Sequence, residues 1–475
     1  MSPLRRFTLV VAFAVLVTAT VSAPPAAAAA CDWSGQWDTL ISGDPQSMML
    51  NQSGMKVAGS YASGRRISGV AAGGQLQGNW TSTKDAGKFV FTMAADCLSF
   101  SGAWGRGSSS EDGETWLGQR VAASGPPPPP TVETLATGLR VPWSIGFAPV
   151  YRQGRPDGRL FVTQQPCLLT TLIPAKDGYS VGTSARVPDC VAVGDGVRGL
   201  ALAPDFAQTG RLYLVYTYRR GDGPLLTRVA RFTERDGNLS EERVILGDAP
   251  GGEIHTAGRL KFGPDGKLYL ATGDVLNRAL PQDPRSLGGK ILRFNPDGTV
   301  PDDNPAPGSY VYSLGHRNPQ GLAWHPVTGD LWITDHGPSP TIAGEPFFCC
   351  HDEIYRIVPG GNYGWPLSAG ATSDPRFIGP ALESGATTWA PSGAAFVQGN
   401  GRLAMWNGSF VYATLLGQDL RRITFAGPGY TAVQSSEKLL VGAFGRLREA
   451  VQGPDGYLYL TTSNSDGRSG AQARP

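Results

Sequence analysis

The sequence predicts an all-β protein, a six-bladed β-propeller preceded by a small β-meander or barrel domain. Three observations lead there. With 64 glycines and 38 prolines in 475 residues and only 17% charged residues, the composition is that of many short strands joined by tight turns. Helical apolar periods are few, and none is long. One pattern, a turn followed by a strand of aliphatic and aromatic residues, also recurs six times in the second part of the chain. The copies are Asp157-Gly158 with RLFVT, Thr209-Gly210 with RLYLVYT, Pro264-Asp265-Gly266 with KLYLAT, Thr328-Gly329-Asp330 with LWIT, Trp406-Asn407-Gly408 with SFVYAT, and Pro454-Asp455-Gly456 with YLYLTT. A single unit has too little apolar surface to stand alone, whereas six packed around an axis bury it. Two β-sandwiches would leave the repetition unexplained.

Residues 1–30 read as a secretory signal peptide. Arg5 and Arg6 precede an apolar run, Phe7 to Val21, too short to span a membrane comfortably, and small residues lead to Ala28-Ala29-Ala30. The arginine pair is a weak hint of twin-arginine export, and Cys31 after the cut is a less favoured lipidation site. No other apolar run is long enough to span a bilayer, so the expected product is soluble and secreted, with no integral membrane span. Six cysteines suit that oxidising setting. Proximity pairs Cys31 with Cys97 and Cys167 with Cys190, leaving Cys349 and Cys350 to form a vicinal disulfide or stay reduced. The formal charge of +2, with no basic block, argues against nucleic acid as a partner.

Residues 31–122 carry alternating segments broken by glycine and read as the small β-domain. Its Trp33, Trp37, Trp80 and Trp104 could form a sugar-binding face, but core packing is the favoured reading. Residues 123–131 are a proline-rich spacer, and 132–475 form the propeller.

Polar clusters sit beside the repeated strands. His255 leads towards a strand that ends at Asp274; if two antiparallel strands intervene, imidazole and carboxylate return to one end of a blade, the pairing of an oriented base. Arg317-Asn318 and Arg446-Leu447-Arg448 flank two other blades, and alternation points Arg446 and Arg448 to one side, a candidate site for a polyanion. His316, His325 and His351 read as structural or solvated.

The segments HTAGRLKFGPDGKLYLATGD, YSLGHRNPQGLAW, DEIYRIVPGGNYGWP and GRLREAVQGPDGYLYL, in that order, resemble the soluble glucose/sorbosone dehydrogenases that use pyrroloquinoline quinone. The likeness runs from about Leu135 to Leu460 and leaves the amino-terminal domain outside. It implies oxidation of aldose sugars to lactones, with His255 as general base, Asp274 holding it, and Arg317 and Asn318 beside the quinone. Arg446, Arg448 and Thr388 would contact the cofactor. Carbonyls of Gly337 and Pro338 would bind a catalytic Ca²⁺, and Glu353 with the Tyr363 carbonyl a structural one, oxygen ligands that suit this cation. An external electron acceptor is implied but not identified.

Four departures qualify the resemblance. Gly194 and Asp195 stand where the family often has glutamine, and Leu416 where it has a cofactor-binding lysine. SPTIAGEPFFCCH is inserted after Pro338, as a lid or as a tolerated surface insertion. The chain also ends without the usual closing strand, so ring closure is expected to use the segment after the spacer. The alternative reading is a cofactor-free extracellular propeller that binds glycan or protein. Metal-dependent lactone hydrolysis ranks third, because clustered acidic residues at blade ends are not evident.

Overall fold

In this computed structural model, residues 11–15 and 33–467 are described, apart from 34, 62–64, 83, 95–96, 111, 114, 122–129, 150–157, 340–341, 343, 346–348, 399–402, 404–405 and 427–429. The body of the proline spacer and most of the predicted signal peptide lie outside the described residues. The one α-helix described is a single turn, Phe206–Thr209.

The amino-terminal domain is a closed antiparallel barrel of eight consecutive strands from Gly35–Ile41 to Thr115–Arg120, the last pairing with the first. Alternation along each strand sends one set of side chains inward. Trp33, Trp37, Leu50, Phe89, Phe91 and Phe100 thereby fill the interior. Asp38 of the barrel shares a hydrogen bond with Tyr430 of the second domain, and Pro326 and Val327 border a groove against Phe100 and Leu117.

The rest of the chain is a propeller-like arrangement of four-stranded antiparallel sheets. Five are built from consecutive strands, and their inner strands are Pro142–Phe147, Val197–Leu202, Leu260–Phe262, Pro319–Trp324 and Pro391–Phe396. The predicted turn-strand copies each supply the second strand, as in Leu268–Thr272 and Leu331–Asp335. Turns such as Gly266, with φ 72°, need a left-handed residue and have one.

The remaining sheet is composite. Leu447–Gln452 and Leu458–Thr462 are joined by Val11–Val15, which in turn pairs with Glu133–Thr137 after the spacer. The post-spacer segment therefore does reach the last sheet, but through a strand drawn from the stretch read as an export signal. Each sheet touches the next around the circuit, and the composite sheet touches the first. Cys167–Cys190 is a disulfide with Cα atoms 5.8 Å apart. Cys349–Cys350 is a vicinal disulfide. Cys97 is also disulfide-bonded, while Cys31 lies outside the described residues.

Candidate active site

In an antiparallel pair the start of the first strand and the end of the second share one end. Register places Leu260 opposite Leu270, Pro319 opposite Asp335, Pro391 opposite Thr414 and Leu447 opposite Thr462. His255 and Asp274, Arg317 and Gly337, Thr388 and Leu416, and Arg446 and Asp466 all flank those pairs, so four neighbouring sheets present them at corresponding ends.

The structure brings His255 and Asp274 together: Nδ1 lies 2.8 Å from Oδ1. Asp274 is 1% exposed and also accepts the indole N–H of Trp365 at 2.8 Å and the Leu276 N–H at 3.0 Å. Burial by itself would raise the Asp274 carboxyl, but the hydrogen bond and positive field of His255, with Arg317 behind them, bring it below its ordinary value. An ionised carboxylate only accepts, so Nδ1 carries the proton and Nε2 the lone pair. Nε2 has no partner among the described residues. His255 and Ala257 have φ of 54° and 46°, strained for side-chain-bearing residues. The bond from Ala257 N–H to Asn318 Oδ1, 3.1 Å, helps to hold that turn. A Cβ at Gly273 would overlap the His255 carbonyl, so only glycine fits there.

Asp335, absent from the sequence reading, organises the next corner. It accepts the backbone N–H of Arg317 at 3.3 Å and of Asn318 at 2.7 Å, and lies 3.2 Å from His316 Nδ1. His316 also bonds Ser313 and stacks on Tyr363, a structural role. His325 is buried, and His351 pairs with Glu383. His336 is fixed between Asn318 and the Pro391 carbonyl. Burial, then the positive fields of Arg317, His255 and Arg448, push its imidazole well below the usual value. His336 thus senses the groups predicted separately at three sheets.

None of the predicted arginines is a free cation. Arg317 is 3% exposed and bonds Glu345 through Nε at 3.0 Å and Nη2 at 2.8 Å. Glu345 comes from the insertion after Pro338, which therefore reaches into the site. Arg446 and Arg448 do face one space, and both bond Asp466 Oδ2, at 2.8 and 3.3 Å. Gln320 Oε1 links Arg448 to Ser392. Thr388 and Gly337 meet on the buried Asp352, which accepts Thr388 Oγ1–H at 2.9 Å and Gly337 N–H at 3.0 Å. Leu416 is half exposed and carries no charge. At Gly194 the carbonyl accepts Arg198 Nη1–H at 2.7 Å, and the Gln165 amide bonds Asp195 at 2.9 Å. An amide does lie beside this segment, therefore, but from the first sheet.

Among the described residues no group of three or more His, Cys, Asp or Glu side chains is arranged to hold a metal. Glu353 is buried, and burial followed by repulsion from Asp335 pushes its carboxyl well above its ordinary value. The Tyr355 hydroxyl bonds both Glu353 and, at 3.5 Å, the Tyr363 carbonyl, so the two predicted ligands converge. A carboxylate pressed against another carboxylate, with a carbonyl nearby, is a donor set for a hard cation.

An imidazole–carboxylate pair among buried arginines, each already paired with a carboxylate, on a ring of sheets, is an enzyme-type centre. The family described as Glucose / Sorbosone dehydrogenase matches residues 139–469, and the chain belongs to that family. It is 31% identical over 358 residues to aldose sugar dehydrogenase YliI of Escherichia coli K12, covering 71% of this chain and 91% of that one. It is 33% identical over 251 residues to quinoprotein glucose dehydrogenase B of Acinetobacter calcoaceticus, 46% of this chain and 50% of the relative. The PQQ-bound aldose sugar dehydrogenase of Streptomyces coelicolor superposes with a TM-score of 0.60 at 35% identity, covering 72% of this chain and 93% of that structure.

Proposed function

We propose that the chain is a secreted, six-bladed propeller enzyme that oxidises aldose sugars to lactones with pyrroloquinoline quinone and Ca²⁺, the sixth blade being built on Leu447–Gln452 and Leu458–Thr462. The observation that carries this is the His255–Asp274 pair, with Nε2 unpartnered, beside buried Arg317. When bound, the quinone would accept the hydride from the anomeric carbon. Nε2 of His255 takes the proton of the anomeric hydroxyl, and Asp274 stabilises the imidazolium that results. Arg317 offers donors where negative charge develops, and Asn318 holds the turn that carries His255. Arg446, Arg448 and Thr388 would bind the cofactor's acidic groups. Arg446 and Arg448 already hold the Asp466 carboxylate, as Arg317 holds that of Glu345, which is the same chemistry. Gly337 and Pro338 would supply carbonyls to one Ca²⁺, and Glu353 and Tyr363 oxygens to a second. Electrons then pass to an external acceptor.

The test mixes purified protein with Ca²⁺, pyrroloquinoline quinone and a panel of aldoses and follows dye reduction. Sugar-dependent reduction that needs both additions supports the reading. His255→Ala should lower turnover by about 10²–10⁴-fold while cofactor binding persists; unchanged turnover would remove His255 from its role. Glu345 and Asp466, which neutralise the arginines, together with the uncharged Leu416, favour one alternative, a cofactor-free propeller that binds glycan or protein. That alternative predicts neither quinone binding nor dye reduction.

A further inference from the structure

His336 stands beside the centre, yet the reaction proposed above gives it no role. It follows directly on the strand Leu331–Asp335, and its two ring nitrogens reach two different partners. Nε2 lies 2.9 Å from the Pro391 carbonyl and Nδ1 lies 3.2 Å from Asn318 Nδ2. Asn318 Oδ1 in turn lies 3.1 Å from the backbone nitrogen of Ala257.

Donor and acceptor chemistry places every proton in this series. A backbone N–H only donates, so Asn318 turns its carbonyl oxygen to Ala257 and its amide nitrogen to His336. That amide nitrogen also only donates, so Nδ1 of His336 accepts and the ring carries its proton on Nε2. There the proton meets a carbonyl, which only accepts. Ala257 donates to Asn318, Asn318 to His336 and His336 to Pro391, three bonds running one way across three successive sheets. Bonds aligned in this sense polarise one another.

The far end of the series is fixed. Asp352 accepts the N–H groups of Trp389 and Ala390, and Pro391 then opens the strand Pro391–Phe396 opposite Thr414. The near end is the turn that needs holding. His255 and Ala257 both have left-handed backbone, φ 54° and 46°, a conformation that persists only where its surroundings impose it. With the ring proton on Nδ1 instead, Asn318 would meet a donor with its own donor. Its amide would have to turn over, leaving the Ala257 N–H without that acceptor.

We infer that His336 is a positioning residue for the base. By accepting from Asn318 it fixes the amide that holds the Ala257 N–H, and so sets where the His255 ring points. The inference rests on His255 being the base of the proposed reaction.

Two conservative variants separate this role from packing. His336→Asn puts an oxygen where Nδ1 was, so it keeps the acceptor and loses the bond to Pro391. His336→Gln can keep a donor for Pro391 and loses the acceptor. Each breaks one hydrogen bond, so a merely structural side chain would make the two variants alike. In the full chain without quinone, the Ala257 amide hydrogen is expected to exchange about tenfold faster in His336→Gln than in the parent, and within about twofold of the parent in His336→Asn. With quinone, Ca²⁺ and an aldose, turnover should fall about tenfold in His336→Gln at a constant Michaelis constant, and His336→Asn should recover most of it. The inference is overturned if the variants of an active parent are alike in exchange or in turnover. It is also overturned if the Ala257 amide of the parent exchanges like that of an open turn, a result that needs no variant to fold. If the parent oxidises no sugar, the reading of the centre fails, and exchange alone still decides whether His336 holds the turn.

Discussion

A neutral imidazole serves as a base only where the proton on its other nitrogen is held, and Asp274 is anchored to hold it. Of its two anchors beyond His255, the Trp365 indole at 2.8 Å is the more distant in sequence. Trp365→Phe keeps the ring but loses that donor. Turnover should fall about tenfold while the Michaelis constant for the sugar stays near its parent value, and the pH–rate profile should shift, which a purely structural role for Trp365 would not cause. Glu345→Gln should act the other way. It keeps the shape of the insertion and removes the negative charge that neutralises Arg317, so quinone affinity should rise about tenfold, read by titration of the quinone absorbance. The His255–Asp274 pair was legible because both residues bound one two-strand unit. Trp365, Glu345 and Asp466 were not, because each returns from a loop whose path no local period encodes. Asp352 and Asp335 passed unnoticed because an acid at a strand end reads like any turn residue until its donors are seen.

At the level of strands and turns, the repeated turn-strand motif was the most readable feature because its glycine, polar turn and β-branched or aromatic run are all local. Less readable was what the turns use inside. His325, at the end of Pro319–Trp324, accepts the N–H groups of Val327 and Thr328 on Nδ1, at 3.2 and 3.1 Å. Its ring packs on Phe396 and Tyr430. Burial, only partly offset by Asp330 and helped by Arg356, pushes it down to about 4. Above the unfolded value near 6.5 both states are neutral and the contribution is whole. As pH falls from 6.5 towards 4, the unfolded chain takes a proton that the fold refuses, and stability should decline by about 3 kcal/mol. Urea unfolding at pH 7.5, 6 and 4.5 measures this slope. His325→Asn, which can still accept both N–H groups, should flatten it.

Across the whole molecule, composition suggested a proline-rich spacer at 123–131 between two β units, and the first of them closes as a barrel of eight strands. The composite sheet was half readable: the end of the chain lacked a strand, and the post-spacer segment was the candidate to supply it. What no pattern announced was Val11–Val15, because an apolar run near an amino terminus carries the same residues as an export signal. Both uses can be separated. In a chain that starts at residue 31, amide hydrogens of Leu458–Thr462 should exchange faster than in the full chain, having lost the Val11–Val15 partner. Equal protection would show that Glu133–Thr137 has moved across to pair directly. The seam between Val11–Val15 and Leu458–Thr462 also joins segments from far apart in the chain, and so long a loop is the most expensive to close. That seam should therefore form after the rate-limiting step. Substitutions along it should quicken unfolding and leave the folding limb of a chevron plot where it was, so it governs how long a finished molecule lasts, not how fast one is made.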